Sequence, residues 1–109
     1  MERPDYENIT ASGLKSRLDA EERPVLLDVR DLWEFELARI EGSKHIPMSQ
    51  LEERFTELDP DAETVVICHH GNRSSYVAQA LQRAGFEKVL NLEAGLDAYS
   101  FVDGSVPRY

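Results

Sequence analysis

One cysteine, Cys68, is all the thiol chemistry that this 109-residue chain holds. No intrachain disulfide is possible, so folding needs no oxidising compartment, and a reducing cytoplasm is the expected setting. Basic charge is scarce too, with 12 Lys and Arg against 21 Asp and Glu for a net charge of -9. Such a chain repels nucleic acid and anionic lipid, so neither is an expected partner. Long apolar runs are missing: nothing approaches a membrane span, and "ERPDYENIT" after Met1 lacks the charged-then-apolar layout of a signal peptide. Without a repeat, a low-complexity segment or a break in composition, residues 1–109 read as one soluble domain. A chain of this size buries roughly two-thirds of its unfolded surface, enough for a core without staples.

What is present comes in short dense apolar runs separated by helical patterns. Residues 25–29 (VLLDV) and 64–68 (TVVIC) are continuous rather than alternating, as in strands covered on both faces. Residues 88–92 (KVLNL) read as a third strand, and weaker candidates lie around Ile9 and around His45 and Ile46. Leu14 and Leu18 mark one helix face, Leu51, Phe55 and Leu58 another, and Val77, Ala80, Leu81 and Ala84 a third. Ser12 is the expected cap of the first helix, Asp31 the start of a short one through Trp33 and Phe35, and Gly85 the end of the one after Cys68. Residues 59–61 (DPD) read as a turn, and 102–109 as a tail wrapping the surface. Alternating strands and helices imply an α/β domain with a mainly parallel sheet. In such sheets ligands gather at the carboxyl ends of the strands, where Cys68 and the segment after Val29 lie.

The stretch "CHHGNRSS", residues 68–75, is where the chemistry concentrates. If the strand ends at Cys68 and a helix begins near Arg73 or Ser74, the residues between must curl, and Gly71 permits the left-handed backbone that a curl needs. Successive amides in a curled loop point inward as an anion-binding nest, and the following helix adds the positive end of its dipole. Cys68 sits at the bottom of that cup, where both effects favour thiolate over thiol. Arg73 adds a fixed charge and a planar donor fork. An isolated cysteine at the end of a buried strand is more often inert packing. A packing position, however, has no need of a turn glycine, a polar loop and an arginine at a helix start. His69 and His70 do not make a metal site, because adjacent histidines rarely converge on one ion and no second cysteine or spaced histidine pair completes a ligand set. Their backbone forms the loop and their rings line the pocket.

With Gly71 between Cys68 and Arg73, "CHHGNRS" resembles the active-site loop of the rhodanese-like sulfurtransferase family. The resemblance runs through nearly the whole chain: "LLDVRDLWEFELARIEGSKHIPMSQL" is similar to the family's first signature, "NLEAGLDAYS" to its closing glycine-rich one, and "VDGSVPRY" to the tail of many single-domain members. It implies a five-stranded, mainly parallel sheet flanked by helices on both faces, and a cysteine cycling between thiolate and persulfide without metal or cofactor. Carried onto this chain, Cys68 is the sulfur carrier, and the amides of His69, His70, Gly71, Asn72, Arg73 and Ser74 cradle its outer sulfur. Asp28, Arg30 and Glu34 resemble the charged residues that brace the loop, although Asp28 reads equally as a strand-end cap, and the choice between Asp28 and Glu34 as the partner of Arg73 stays open. The implied partners are a small sulfur donor such as thiosulfate or a persulfide, a thiophilic acceptor, and a sulfur-carrier or desulfurase protein. Arg39 stands where the family often has histidine, Ser43 where alanine is common, Ala94 where a second glycine is usual and Tyr99 where tryptophan is frequent. These departures bear on ring contacts and the rim rather than on the cysteine loop.

Two rival readings are specific. Phosphatases and arsenate reductases of related fold also place a cysteine in an amide cup closed by arginine, but their Cys-x5-Arg loop is wide enough for a tetrahedral oxyanion. Four residues separate Cys68 from Arg73, a ring better sized for one extra sulfur. A non-catalytic binding module on the same fold is the other rival, and such modules have typically lost the cysteine.

Overall fold

The computed structural model describes residues 6–109. Among them five strands, β1 (Glu7–Ile9), β2 (Val25–Asp28), β3 (Lys44–His45), β4 (Thr64–Ile67) and β5 (Val89–Leu92), form one sheet in the order β1-β5-β4-β2-β3. All four neighbouring pairs run parallel, with Asp28 level with Ile67 and Val66 level with Asn91. The helices are α1 (Ala11–Asp19), α2 (Leu32–Leu37), α3 (Leu51–Arg54), α4 (Asn72–Arg83) and α5 (Gly95–Tyr99).

Strands β2 and β4 read as unbroken apolar runs because each contributes alternate residues to two cores. Leu26, Val65 and Ile67 pack with Leu14 of α1 and Leu96 and Tyr99 of α5 on one face. On the other, Leu27, Val66 and Cys68 pack with Val77, Ala78 and Leu81 of α4 and with Leu58. The expected architecture, a parallel five-stranded sheet with helices on both faces, is the one found.

Strand order also fixes where a site can form. The chain leaves β2 for β3 on one side and leaves β4 for β5 on the other, so the loops after these two adjacent strands diverge. A crevice opens between their carboxyl ends, as at switch points in other open α/β sheets. Residues 68–71 and 29–31 border it.

Asp31 caps α2, and Gly85 follows α4, with the Leu81 carbonyl closed by the Phe86 amide at 3.1 Å. The first helix is capped by Thr10, not Ser12: the Thr10 hydroxyl accepts the Gly13 amide at 3.0 Å, which places Ser12 inside the first turn. Leu51 to Leu58 is not one helix. Helix α3 ends at Arg54 and tightens into a 3₁₀ turn at Phe55–Glu57, which carries Leu58 into the core. The tail does more than wrap the surface, because Val106 is buried among the α1 and α5 contacts and the chain then delivers Tyr109 to the crevice.

Candidate active site

Cys68 follows the last residue of β4 and is 1% exposed. Its Sγ accepts the Gly71 amide at 3.0 Å and lies 3.2 Å from the Ser74 hydroxyl. The loop reverses at Gly71, whose φ of +95° suits glycine, and α4 begins at the next residue. A Cβ on Gly71 would also stand 3.2 Å from the Ala94 nitrogen, so the loop lies hard against the start of α5.

That contact is half of a clamp. The Leu96 amide donates to the Cys68 carbonyl at 2.7 Å and the Asp97 amide to the His69 carbonyl at 3.0 Å. Two carbonyls that the curled loop cannot bond internally are thus satisfied by the free amides opening α5. The approach requires a residue without a side chain: a Cβ on Gly95 would fall 2.4 Å from the His69 carbonyl carbon and oxygen and 2.5 Å from the Cys68 oxygen. Ala94, where glycine is usual in the family, takes a left-handed φ of +58° to set this up.

Glu34 is the partner of Arg73. Nη1 meets Oε1 at 2.7 Å and Nη2 meets Oε2 at 2.9 Å, a bidentate pair whose carboxylate is nearly buried. Arg73, together with the Asp31 amide and the Tyr109 hydroxyl, holds the Glu34 carboxyl at about 2, and Glu34 in turn raises the Arg73 guanidinium. The fork expected to receive a ligand therefore grips a neighbouring side chain. Asp28 does not reach it. Asp28 and Arg30, both fully buried, pair through Nε to Oδ1 at 2.9 Å and Nη2 to Oδ2 at 2.7 Å. Arg30 also donates to the carbonyls of Glu34 and Ala38 and, at 2.7 Å, to the Tyr109 hydroxyl. That hydroxyl donates onward to Glu34 Oε2 at 3.0 Å. Asp28, Arg30, Tyr109, Glu34 and Arg73 thus form one chain from the sheet to the loop.

The remaining loop residues lie at the mouth. The ring of His69 packs at 4.3 Å on that of Tyr109 and at 4.1 Å on that of His70, and its Nδ1 is buried without a hydrogen-bond partner. Burial, then the neighbouring His70, lower the His69 pKa below its usual value, which favours the neutral ring. Exposed His70 stands 3.9 Å from Asp97. Among the described residues no group of three or more His, Cys, Asp or Glu side chains could hold a metal. The departures at Arg39 and Ser43 bond to the carbonyls of Phe35 and Ile40, while Tyr99 is buried in the core.

Sequence reasoning missed Asn91, Gly95 and Tyr109. Asn91 left a signal, a single amide inside an apolar strand run; Tyr109 left none beyond the likeness of the tail.

The family model for the rhodanese-like domain matches residues 10–101. The chain belongs to that family. It is 39% identical over 88 residues to YrkF of Bacillus subtilis, a match spanning 81% of this chain and 48% of that protein. It is 37% identical over 75 residues to the thiosulfate sulfurtransferase GlpE of Ectopseudomonas mendocina, spanning 69% of each. Among solved structures, a rhodanese-related protein from Thermoplasma volcanium superposes with a TM-score of 0.83 at 31% identity, over 95% of this chain and all of that one. The chain thus spans about half the length of one curated relative and most of another. No helix among the described residues is long and apolar enough to cross a membrane.

Proposed function

We propose that this rhodanese-like domain is a sulfurtransferase that carries sulfane sulfur on Cys68. The observation that carries the reading is the position of Sγ, at the base of a loop curled on Gly71 beneath the amino end of α4, with a loop amide donating to it. In the first half-reaction the Cys68 thiolate attacks the outer sulfur of a donor such as thiosulfate or a persulfide. The donor's S–S bond breaks and its electron pair leaves with sulfite or the donor thiolate, while Cys68 becomes a persulfide anion. In the second, a thiophilic acceptor attacks the outer sulfur, and the S–S bond pair returns to Cys68 as thiolate. Electrons balance without an external oxidant or reductant.

The amides of residues 69–74 receive the negative outer sulfur, and the amino end of α4 favours the same charge. Arg73 braces the loop through Glu34. Asp28 and Arg30 brace the pair from below, and His69 and His70 wall the mouth. The sulfurtransferase name of GlpE supports the reaction class, and the four-residue spacing between Cys68 and Arg73 favours sulfur over a phosphoryl group.

Intact mass decides the matter. After incubation with thiosulfate, wild type should carry one added sulfur on Cys68 and release it to cyanide as thiocyanate, whereas Cys68→Ser should do neither while remaining folded. Turnover by the serine variant removes Cys68 from the mechanism, and faster turnover of a small aryl phosphate than of thiosulfate makes the chain a phosphatase.

A further inference from the structure

Asn91 is an amide where the sheet otherwise places apolar side chains. It is 5% exposed on β5, flanked by Leu90 and Leu92, in register with Val66 on one side and Asn8 on the other. Burying a primary amide is costly unless it is bonded. Here it is bonded on both sides: the Ser74 hydroxyl donates to Asn91 Oδ1, and Asn91 Nδ2 donates to Asn8 Oδ1 at 3.3 Å. Ser74 is fully buried and its hydroxyl is the second contact of Cys68 Sγ. A line of polar atoms therefore runs from the sulfur through Ser74 and Asn91 to the edge strand.

The direction of that line depends on whether the sulfur carries a proton. With Asn91 Oδ1 turned to Ser74 and Nδ2 to Asn8, the consistent proton order for a thiol has the S–H directed at Ser74 Oγ, the Ser74 O–H at Asn91 and the Asn91 N–H at Asn8. A thiolate has no proton to give, and the single hydroxyl proton of Ser74 cannot serve both the sulfur and Asn91. Turning that proton to the sulfur leaves a serine lone pair facing Asn91 Oδ1. Half a turn of the Asn91 amide, with the exposed Asn8 amide turning as well, resolves the conflict: Asn91 Nδ2 donates to Ser74, and Asn91 Oδ1 accepts from Asn8 Nδ2. Leucine would fill the space, and aspartate would accept from Ser74, but neither can reverse.

We propose that Asn91 is a positioning residue for sulfur chemistry. Acting through Ser74, its reversible amide lets the buried hydroxyl donate to the sulfur whenever the sulfur is charged, and accept from it when it is a thiol. The inference rests on Cys68 being the reacting sulfur, so its test reads the nucleophilicity of Cys68 directly rather than sulfur transfer.

Alkylation of Cys68 by iodoacetamide, followed by intact mass at fixed neutral pH, is clean because the chain has one cysteine. Asn91→Asp keeps the Ser74 proton turned away from the sulfur, and Asn91→Leu frees it. Since a hydrogen bond to a charged group contributes about 1.5–3 kcal/mol, and a stabilised thiolate is also a weaker nucleophile, the aspartate variant should react at least about three-fold more slowly than the leucine variant. In a Ser74→Ala background the two rates should agree to within about 1.5-fold. Equal rates in the two single variants would overturn the proposal, and a gap that persists without Ser74 would assign the effect to the carboxylate's charge alone. Should a variant fail to fold, the wild type gives a second reading. The Asn91 side-chain amide resonances should move by NMR when Cys68 is persulfidated, and unchanged resonances would refute reversal of the amide.

Discussion

Replacing Glu34 by glutamine isolates the ion pair that ties α2 to the cysteine loop. Glu34 is held at about 2 against an ordinary 4.5, first by the bidentate bond to Arg73. Its side chain is 6% exposed and that of Arg73 32%, so water screens the carboxylate little and the guanidinium more. The sign follows from proton binding: between these two values the unfolded chain binds the proton and the folded chain does not. The carboxylate's stabilisation is therefore present above about pH 4.5 and is lost as pH falls toward 2. At 1.36 kcal/mol per pH unit, the shift corresponds to roughly 3 kcal/mol at neutral pH, falling to about 1.4 at pH 3 and about 0.4 at pH 2. Urea unfolding of wild type and Glu34→Gln at pH 7, 4.5 and 3 measures this. The stability gap should shrink with falling pH along that course. Glu57 is also held at about 2, by Arg54 and Lys44 on the surface, but it is common to both proteins and cancels in the difference. A gap of the same size at pH 7 and pH 3 would refute the reasoning, because a neutral packing defect does not titrate.

The same clamp makes three further expectations definite. Gly95→Ala forces a methyl to within 2.5 Å of backbone atoms that are themselves hydrogen-bonded, so we expect a loss of about 3 kcal/mol or more and a sulfur-transfer rate down at least about ten-fold; an unchanged melting temperature would contradict the contact. Tyr109→Phe keeps the ring on His69 but removes the hydroxyl between Arg30 and Glu34, at a cost of about 2 kcal/mol in urea unfolding, and a neutral result would mean that the tail is not docked. The His69 ring should titrate below 6.5 by NMR, since burial disfavours its charged form, and a midpoint at or above that value would place the ring in solvent.

Legibility in the sequence followed contact distance along the chain. The runs at 25–29 and 64–68 betrayed a sheet covered on both faces because each residue's environment is written into its own type. Cys68, Gly71 and Arg73 were legible for the same reason: curl, nest and helix start are local. Strand order was not, since nothing in β1 states that it pairs with β5. The choice between Asp28 and Glu34 as the partner of Arg73 was equally closed, being decided by where α2 turns beneath the loop. Ser12 reads as a cap in the sequence because Thr10 and Ser12 carry the same hydroxyl two positions apart, and the onset of α1 decides for Thr10. Nothing beside Gly95 in the sequence marks its role, and only the fold reveals that it faces the carbonyls of Cys68 and His69.

These long-range contacts bear on why a ring of this size handles sulfur. A cup of amides selects its occupant only if it cannot widen, and a six-residue loop standing alone in water would have that freedom. Here its inner wall is the backbone of α5, with Gly95 against the first two carbonyls and Ala94 behind Gly71. Its far end is fixed by Arg73 on Glu34, and Glu34 by Tyr109 and the Asp31 amide. Anchors at both ends and along the inside leave only the outward direction for expansion. Enlarging the ring for a tetrahedral oxyanion would break the Leu96 and Asp97 bonds or pull Arg73 off its carboxylate. On the proposed function, the discrimination that spacing suggests rests on residues 23 to 39 positions away from the loop's own glycine and arginine, which give a short motif fixed dimensions.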